Sequence, residues 1–126
     1  MSKTVINTDK APAPIGPYNQ SILAGDTLYV SGQIAIVPGT DQMATTDIVT
    51  ETHQVMNNLS AILAEAQMTF ENVVKCSIFV NDMGNFGAIN EVYGSYFQAD
   101  PPARETVEVS GLPKGVNVEI SCIAVR

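Results

Sequence analysis

Arg104 is one of two arginines in the sequence, the other being the last residue, Arg126. It stands in Pro101-Pro102-Ala103-Arg104-Glu105-Thr106-Val107, where two prolines give way to an alternating strand pattern. Its permanently charged, planar fork of donors matches a carboxylate. Placement leaves two readings: a clamp for a substrate carboxylate, or a surface ion pair with Glu105 or Glu108 that contributes little. Glu119 lies inside the otherwise apolar run Val118-Glu119-Ile120. Carboxylates are seldom buried without a partner or a task. Glu119 therefore reads either as an exposed or ion-paired strand residue, or as a general acid/base whose pKa burial raises. Tyr18, fixed by the prolines before it, offers an aromatic wall and a hydroxyl. Ser31-Gly32-Gln33 offers backbone and side-chain donors, and Asn90 is polar on a half-apolar helix. Each of these, taken singly, is also an ordinary structural residue.

Other chemistries find little support. One histidine and two cysteines make no convincing zinc site. Phosphate-cradling glycine motifs and a Gly-x-Ser-x-Gly elbow are missing from the sequence. Cys76 and Cys122 sit in apolar strand-like runs and read as buried, reduced core thiols of a cytosolic protein. The net charge is −7 and the four lysines are scattered, which disfavours nucleic acid. No apolar run reaches the ~18–20 residues of a membrane span, and the first residues lack the apolar stretch of a signal peptide. No metal, cofactor, membrane or nucleic-acid partner is expected, and the expected location is cytoplasmic.

Positioning these groups falls to a single domain over residues 1–126. Strands are expected over Thr4–Asn7, Asn19–Leu23 and Thr27–Ile34, with a hairpin turn at Gly25-Asp26 and a bulge at Gly32. A helix with its cap at Thr45, Thr46 or Asp47 is expected from Asp47 to Ala66, since Ile48, Val55, Met56, Leu59, Ile62, Leu63 and Ala66 recur at helical spacing. A strand over Asn72–Asn81, a second helix over Phe86–Phe97, and strands over Arg104–Val109 and Val116–Val125 follow. The pattern predicts an α+β chain: one mixed β-sheet with two helices on one face. The open face keeps apolar residues, so self-association into a homo-oligomer is expected.

Four separated motifs occur in order: Ile15-Gly16-Pro17-Tyr18, Val30-Ser31-Gly32-Gln33-Ile34, Pro102-Ala103-Arg104, and Val118-Glu119-Ile120 followed by Cys122-Ile123-Ala124-Val125. Together they resemble the reactive intermediate deaminase family, also called RidA or YjgF, over residues 3–126. The resemblance implies a chorismate-mutase-like fold and a homotrimer with sites in the clefts between subunits. It also implies cofactor-independent hydrolysis of 2-imino and 2-enamino acids, such as 2-aminoacrylate, 2-iminopropanoate and 2-iminobutanoate, to 2-oxo acids and ammonia, protecting pyridoxal-phosphate enzymes. By the same resemblance Arg104 holds the substrate carboxylate, Glu119 activates water, Tyr18 walls the pocket, Ser31 and Gly32 line it, and Asn90 adds a polar contact. Thr106 stands where many members carry cysteine, and acts in binding through its backbone. Glu105 departs from the small residue usual after the arginine. Alternation points it away from the substrate side but close enough to weaken the field of Arg104. Two other functions fit the same residues: a non-catalytic small-carboxylate binder or stress-related chaperone, and an endoribonuclease, which the acidic charge weighs against.

Overall fold

A computed structural model describes residues 2–126. Six strands and two helices run in chain order: β1 (Thr4–Ile6), β2 (Ser21–Ala24), β3 (Thr27–Gln33), α1 (Ile48–Glu65), β4 (Val73–Val80), α2 (Phe86–Gly94), β5 (Ala103–Glu108) and β6 (Val118–Val125). The strands form one mixed sheet in the order β1-β2-β3-β6-β4-β5. All neighbours are antiparallel except β4 and β5, which are parallel and joined through α2. This is the expected α+β layout, with both helices on one face.

Local chemistry sets the boundaries. Asp47 caps α1 by accepting from the Thr50 amide at 2.8 Å, which answers the orphan N–H groups of a helix start. Gly25, at φ 61°, closes the β2–β3 hairpin. The register of β3 against β6 shifts between Val30 and Gln33, the irregularity that Gly32 announces. β2 begins two residues later than expected because Asn19 and Gln20 serve the loop before it. The Gln20 amide donates to Thr8 O at 2.9 Å and Pro12 O at 2.8 Å, which ties down the proline-rich segment. α2 stops at Gly94 rather than Phe97. Beyond it Tyr96 and Phe97 donate three residues back, to Tyr93 O and Gly94 O, and the helix tightens out.

The core lies between the sheet and the helices. On β6, Val118, Ile120, Cys122 and Ala124 are buried, and on β4 so are Cys76, Ile78 and Val80. They meet Val55, Met56, Leu59, Ile62 and Leu63 of α1, and Ile89 and Tyr93 of α2. Each buried Val, Leu, Ile or Met side chain among them contributes about 1.5–3 kcal/mol. Cys76 and Cys122 are free, buried and directly opposite one another across the β4–β6 ladder. Burial pushes both thiols up, the condition of unreactive core cysteines. The other sheet face leaves Tyr29, Val74 and Val107 exposed. No helix is long and apolar enough to cross a membrane.

Candidate active site

The residues singled out by the sequence fall into two clusters on opposite faces of the sheet. The first lies on the helix face at the β5 edge. Arg104 pairs in register with Cys76 and Thr106 with Ile78, so both point toward the helices. From α2, Asn90 accepts a hydrogen bond from Arg104 Nη1 at 2.7 Å. The guanidinium carbon lies 5.1 Å from the Tyr93 ring centroid and 5.6 Å from that of Phe86. Two aromatic faces and one amide thus hold the fork in place without neutralising it. Among the described residues no carboxylate lies within 4.0 Å of Arg104. The expected alternative of a surface ion pair does not form. Glu105 instead pairs with Lys75 at 3.0 Å and accepts from Ser77, while Glu108 accepts from the Met83 amide at 2.8 Å. Ser77, then Lys75, hold the Glu105 carboxyl below its ordinary pKa. Its charge is therefore paired on the open face, away from the guanidinium of Arg104.

Thr106 Oγ1 and the Tyr93 hydroxyl are buried here without hydrogen-bond partners of normal geometry. Burial first, and then the neighbouring Cys76 thiol, push the ionisation of Tyr93 up, so it stays neutral.

The second cluster opens on the other face. A cavity of about 360 Å³ is lined by Tyr18, Ser31, Gly32, Gln33 and Glu119, with apolar walls from Ile15, Ile34 and Ile36. Tyr18 is held by its own loop: its amide donates to Gly16 O at 2.8 Å and its hydroxyl accepts from the Ile15 amide at 3.2 Å. The Ser31 hydroxyl, at the cavity wall, donates to Asn19 O at 2.6 Å and so is left as an acceptor only. Glu119 lies against Gly32: a Cβ on Gly32 would fall 2.8 Å from Glu119 Cδ. A side chain at Gly32 would have to displace the Glu119 carboxylate, and the constraint is one of space, since the φ of Gly32 is not in the left-handed region.

Burial raises the Glu119 pKa above 4.5, with no cation or hydrogen bond offsetting it. A raised folded pKa means the folded state holds the proton more tightly. The stability that gives is present below the unfolded pKa and lost as pH rises through the folded one. Glu119→Gln is accordingly expected to melt above wild type at about pH 7 and level with it at about pH 3. Scanning calorimetry at the two pH values checks this, and a lower Tm at neutral pH contradicts it.

The strands that carry Arg104 and Glu119 follow one another in the chain but are not paired in the sheet. Instead β4 separates β5 from β6, and the two side chains leave opposite faces. Several buried polar residues carried no functional reading in the sequence. Glu51 and Asn58 of α1 are wholly buried and bond backbone around the cavity. Glu51 falls three residues after Ile48 and Asn58 three after Val55, on the apolar stripe, which was the available signal.

The sequence model of a family described as Endoribonuclease L-PSP matches residues 8–126. A mouse (Mus musculus) protein named 2-iminobutanoate/2-iminopropanoate deaminase is 44% identical, over 98% of this chain and 92% of its own. The chain belongs to the RidA/YjgF family. RidA-type architecture is equally plain in solved structures. The Rid-family protein YyfA from Yersinia pestis superposes with a TM-score of 0.96 at 45% identity, covering 99% of this chain and 100% of that one. E. coli TdcF, solved with bound serine, superposes with a TM-score of 0.94 at 37% identity, covering 98% of each chain. The fold is the chorismate-mutase-like fold of this family.

Proposed function

We propose that this RidA-family chain hydrolyses 2-imino and 2-enamino acids to 2-oxo acids and ammonia, in sites formed between subunits of a homotrimer. The observation that carries the reading is Arg104: a braced guanidinium with no carboxylate of its own. A charge held in this way is preorganised for an external carboxylate. The mouse relative's name supplies the reaction class, and the serine bound to TdcF is a small amino acid with the same carboxylate.

The Arg104 cluster and the Glu119 cavity open on opposite faces of one protomer. A site containing both therefore needs the β5 edge of one protomer set against the cavity of the next, which a closed ring provides three times over. The exposed Tyr29, Val74 and Val107 would be covered in the same step.

In such a site Arg104 fixes the carboxylate and so places the adjacent C=N carbon over Glu119. The Glu119 carboxylate takes a proton from water as the water oxygen bonds to that carbon. Glu119 passes that proton to the nitrogen of the resulting carbinolamine. It then takes the hydroxyl proton as the C–N bond breaks and the carbonyl forms, and gives it to the departing ammonia. A protonated imine and water thus become 2-oxo acid and ammonium, and the carboxylate is regenerated. An enamine first gains a proton at its β-carbon and loses one from nitrogen, becoming the imine. Orientation, one charge and one proton shuttle suffice for an electrophile this reactive. The apolar cavity walls suit short aliphatic side chains. Net charge of −7 and scattered lysines weigh against the ribonuclease activity in the family's description.

The test is to generate 2-iminobutanoate with a threonine dehydratase and follow 2-oxobutanoate with and without the protein. Acceleration is expected; none would favour a non-catalytic carboxylate binder on the same fold. In the same assay Gly32→Ala is expected to lose about tenfold or more in kcat, because its methyl group displaces the Glu119 carboxylate. A fully active Gly32→Ala would contradict that placement.

A further inference from the structure

We infer that Glu51, in the first turn of α1, is a positioning residue for Glu119, holding the start of β6 in the place the reaction needs. The inference rests on the reading of Glu119 as the acid/base. Glu51 is fully buried. Its Oε2 accepts the Asn117 amide at 2.8 Å and the Val118 amide at 3.3 Å, and its Oε1 accepts Asn117 Nδ2 at 2.7 Å. No lysine or arginine lies within 4.0 Å of it among the described residues. A carboxylate taken wholly out of water is costly, and here three N–H donors from one short segment answer it.

That segment is the one needing support. Glu119 follows Val118 directly, and its carboxyl group lies against Gly32, in the space a side chain there would take. The regular ladder does not secure this end of β6 on both sides. β4 pairs with it, Phe79 opposite Glu119 and Val80 opposite Val118. On the other side the β3 register is broken between Val30 and Gln33, next to the site. The bulge lets Ser31 and Gly32 line the cavity, and β3 ends at Gln33 opposite Ile120, so that Val118 and Glu119 have no β3 partner. Glu51 reaches down from the helix layer and supplies the missing hold. A second tie runs from Asn81 at the end of β4, whose amide donates to Asn117 O at 3.3 Å and whose Nδ2 donates to Asn117 Oδ1 at 3.1 Å.

The experiment compares Glu51→Ala, Glu51→Gln and Asn117→Ala with wild type, using 2-iminobutanoate released by a threonine dehydratase, alongside amide hydrogen exchange. Glu51→Ala is expected to lose about tenfold or more in kcat with KM within about twofold, since the carboxylate clamp on Arg104 is untouched. Glu51→Gln keeps an acceptor for the two backbone donors and is expected to recover most of the rate. Exchange is expected to quicken in residues 117–121 of Glu51→Ala and to stay unchanged in residues 27–30. Unchanged kcat in a folded Glu51→Ala overturns the inference, as does an equal loss in Glu51→Gln. If Glu51→Ala does not fold, Asn117→Ala, which removes one of the three donors, decides: a lower kcat at unchanged KM supports the inference and an unchanged kcat overturns it. If wild type itself fails to hydrolyse the imine, the reading of Glu119 falls. The exchange comparison then still decides whether Glu51 holds β6.

Discussion

Replacing Arg104 with alanine is expected to lower kcat/KM for 2-iminobutanoate by about 10²-fold or more, with most of the loss in KM. The guanidinium is held by Asn90 at 2.7 Å between two aromatic faces, and no internal carboxylate competes for it. Losing one partner of a desolvated charge pair costs about 2–5 kcal/mol, and each 1.4 kcal/mol is tenfold. Arg104→Lys keeps a charge but not the fork, and is expected to fall between wild type and alanine. The side chain reaches only one element beyond its own strand, α2, through Asn90 and the Tyr93 and Phe86 rings, so the variant is expected to fold. Steady-state kinetics with the dehydratase-coupled assay measure both parameters. A KM unchanged in Arg104→Ala would mean the carboxylate binds elsewhere.

The second large effect belongs to Glu119 and takes the opposite kinetic form. Glu119→Ala is expected to lose about 10²–10⁴-fold in kcat with little change in KM, the usual contribution of a general acid/base. In the proposed reaction Glu119 serves the water and the leaving nitrogen rather than the carboxylate. Its pKa also sets the acid limb of the pH–rate profile. Burial raises it above 4.5, and the ionised form is the base, so activity falls as pH drops through that raised value. The limb should lie above the ordinary carboxylate range in wild type and disappear from the residual activity of Glu119→Ala. Loss concentrated in KM would assign Glu119 to binding instead.

How far the sequence carried can be seen in single residues. Alternation within β6 placed Val118 and Ile120 in the core and Glu119 on the other face, because side-chain direction has a period of two. The glycine in Ser31-Gly32-Gln33 announced the bulge. What alternation within a strand cannot tell is which face of one strand matches which face of another. Only the registers on β4, with Arg104 beside buried Cys76 and Glu119 beside Phe79, set Arg104 and Glu119 on opposite faces. Glu105 shows the same limit: its partners Lys75 and Ser77 come from a parallel neighbour reached through α2, a pairing no local signal reports. Buried polar groups were the hardest to read. Glu51 stands on the apolar stripe of α1 at helical spacing, where a carboxylate looks like an interruption until its partners Asn117 and Val118 arrive from the far end of the chain.

The division of the site between protomers can be measured by mixing. Arg104→Ala and Glu119→Ala chains, each nearly inactive alone, are denatured together in equal amounts and refolded. If each site takes Arg104 from one protomer and Glu119 from its neighbour, about a quarter of the sites in randomly assembled trimers contain both wild-type residues, and about a quarter of wild-type activity returns. Activity that stays at the level of the separate variants, in a mixture shown by mass spectrometry to contain mixed trimers, would contradict a site shared between subunits.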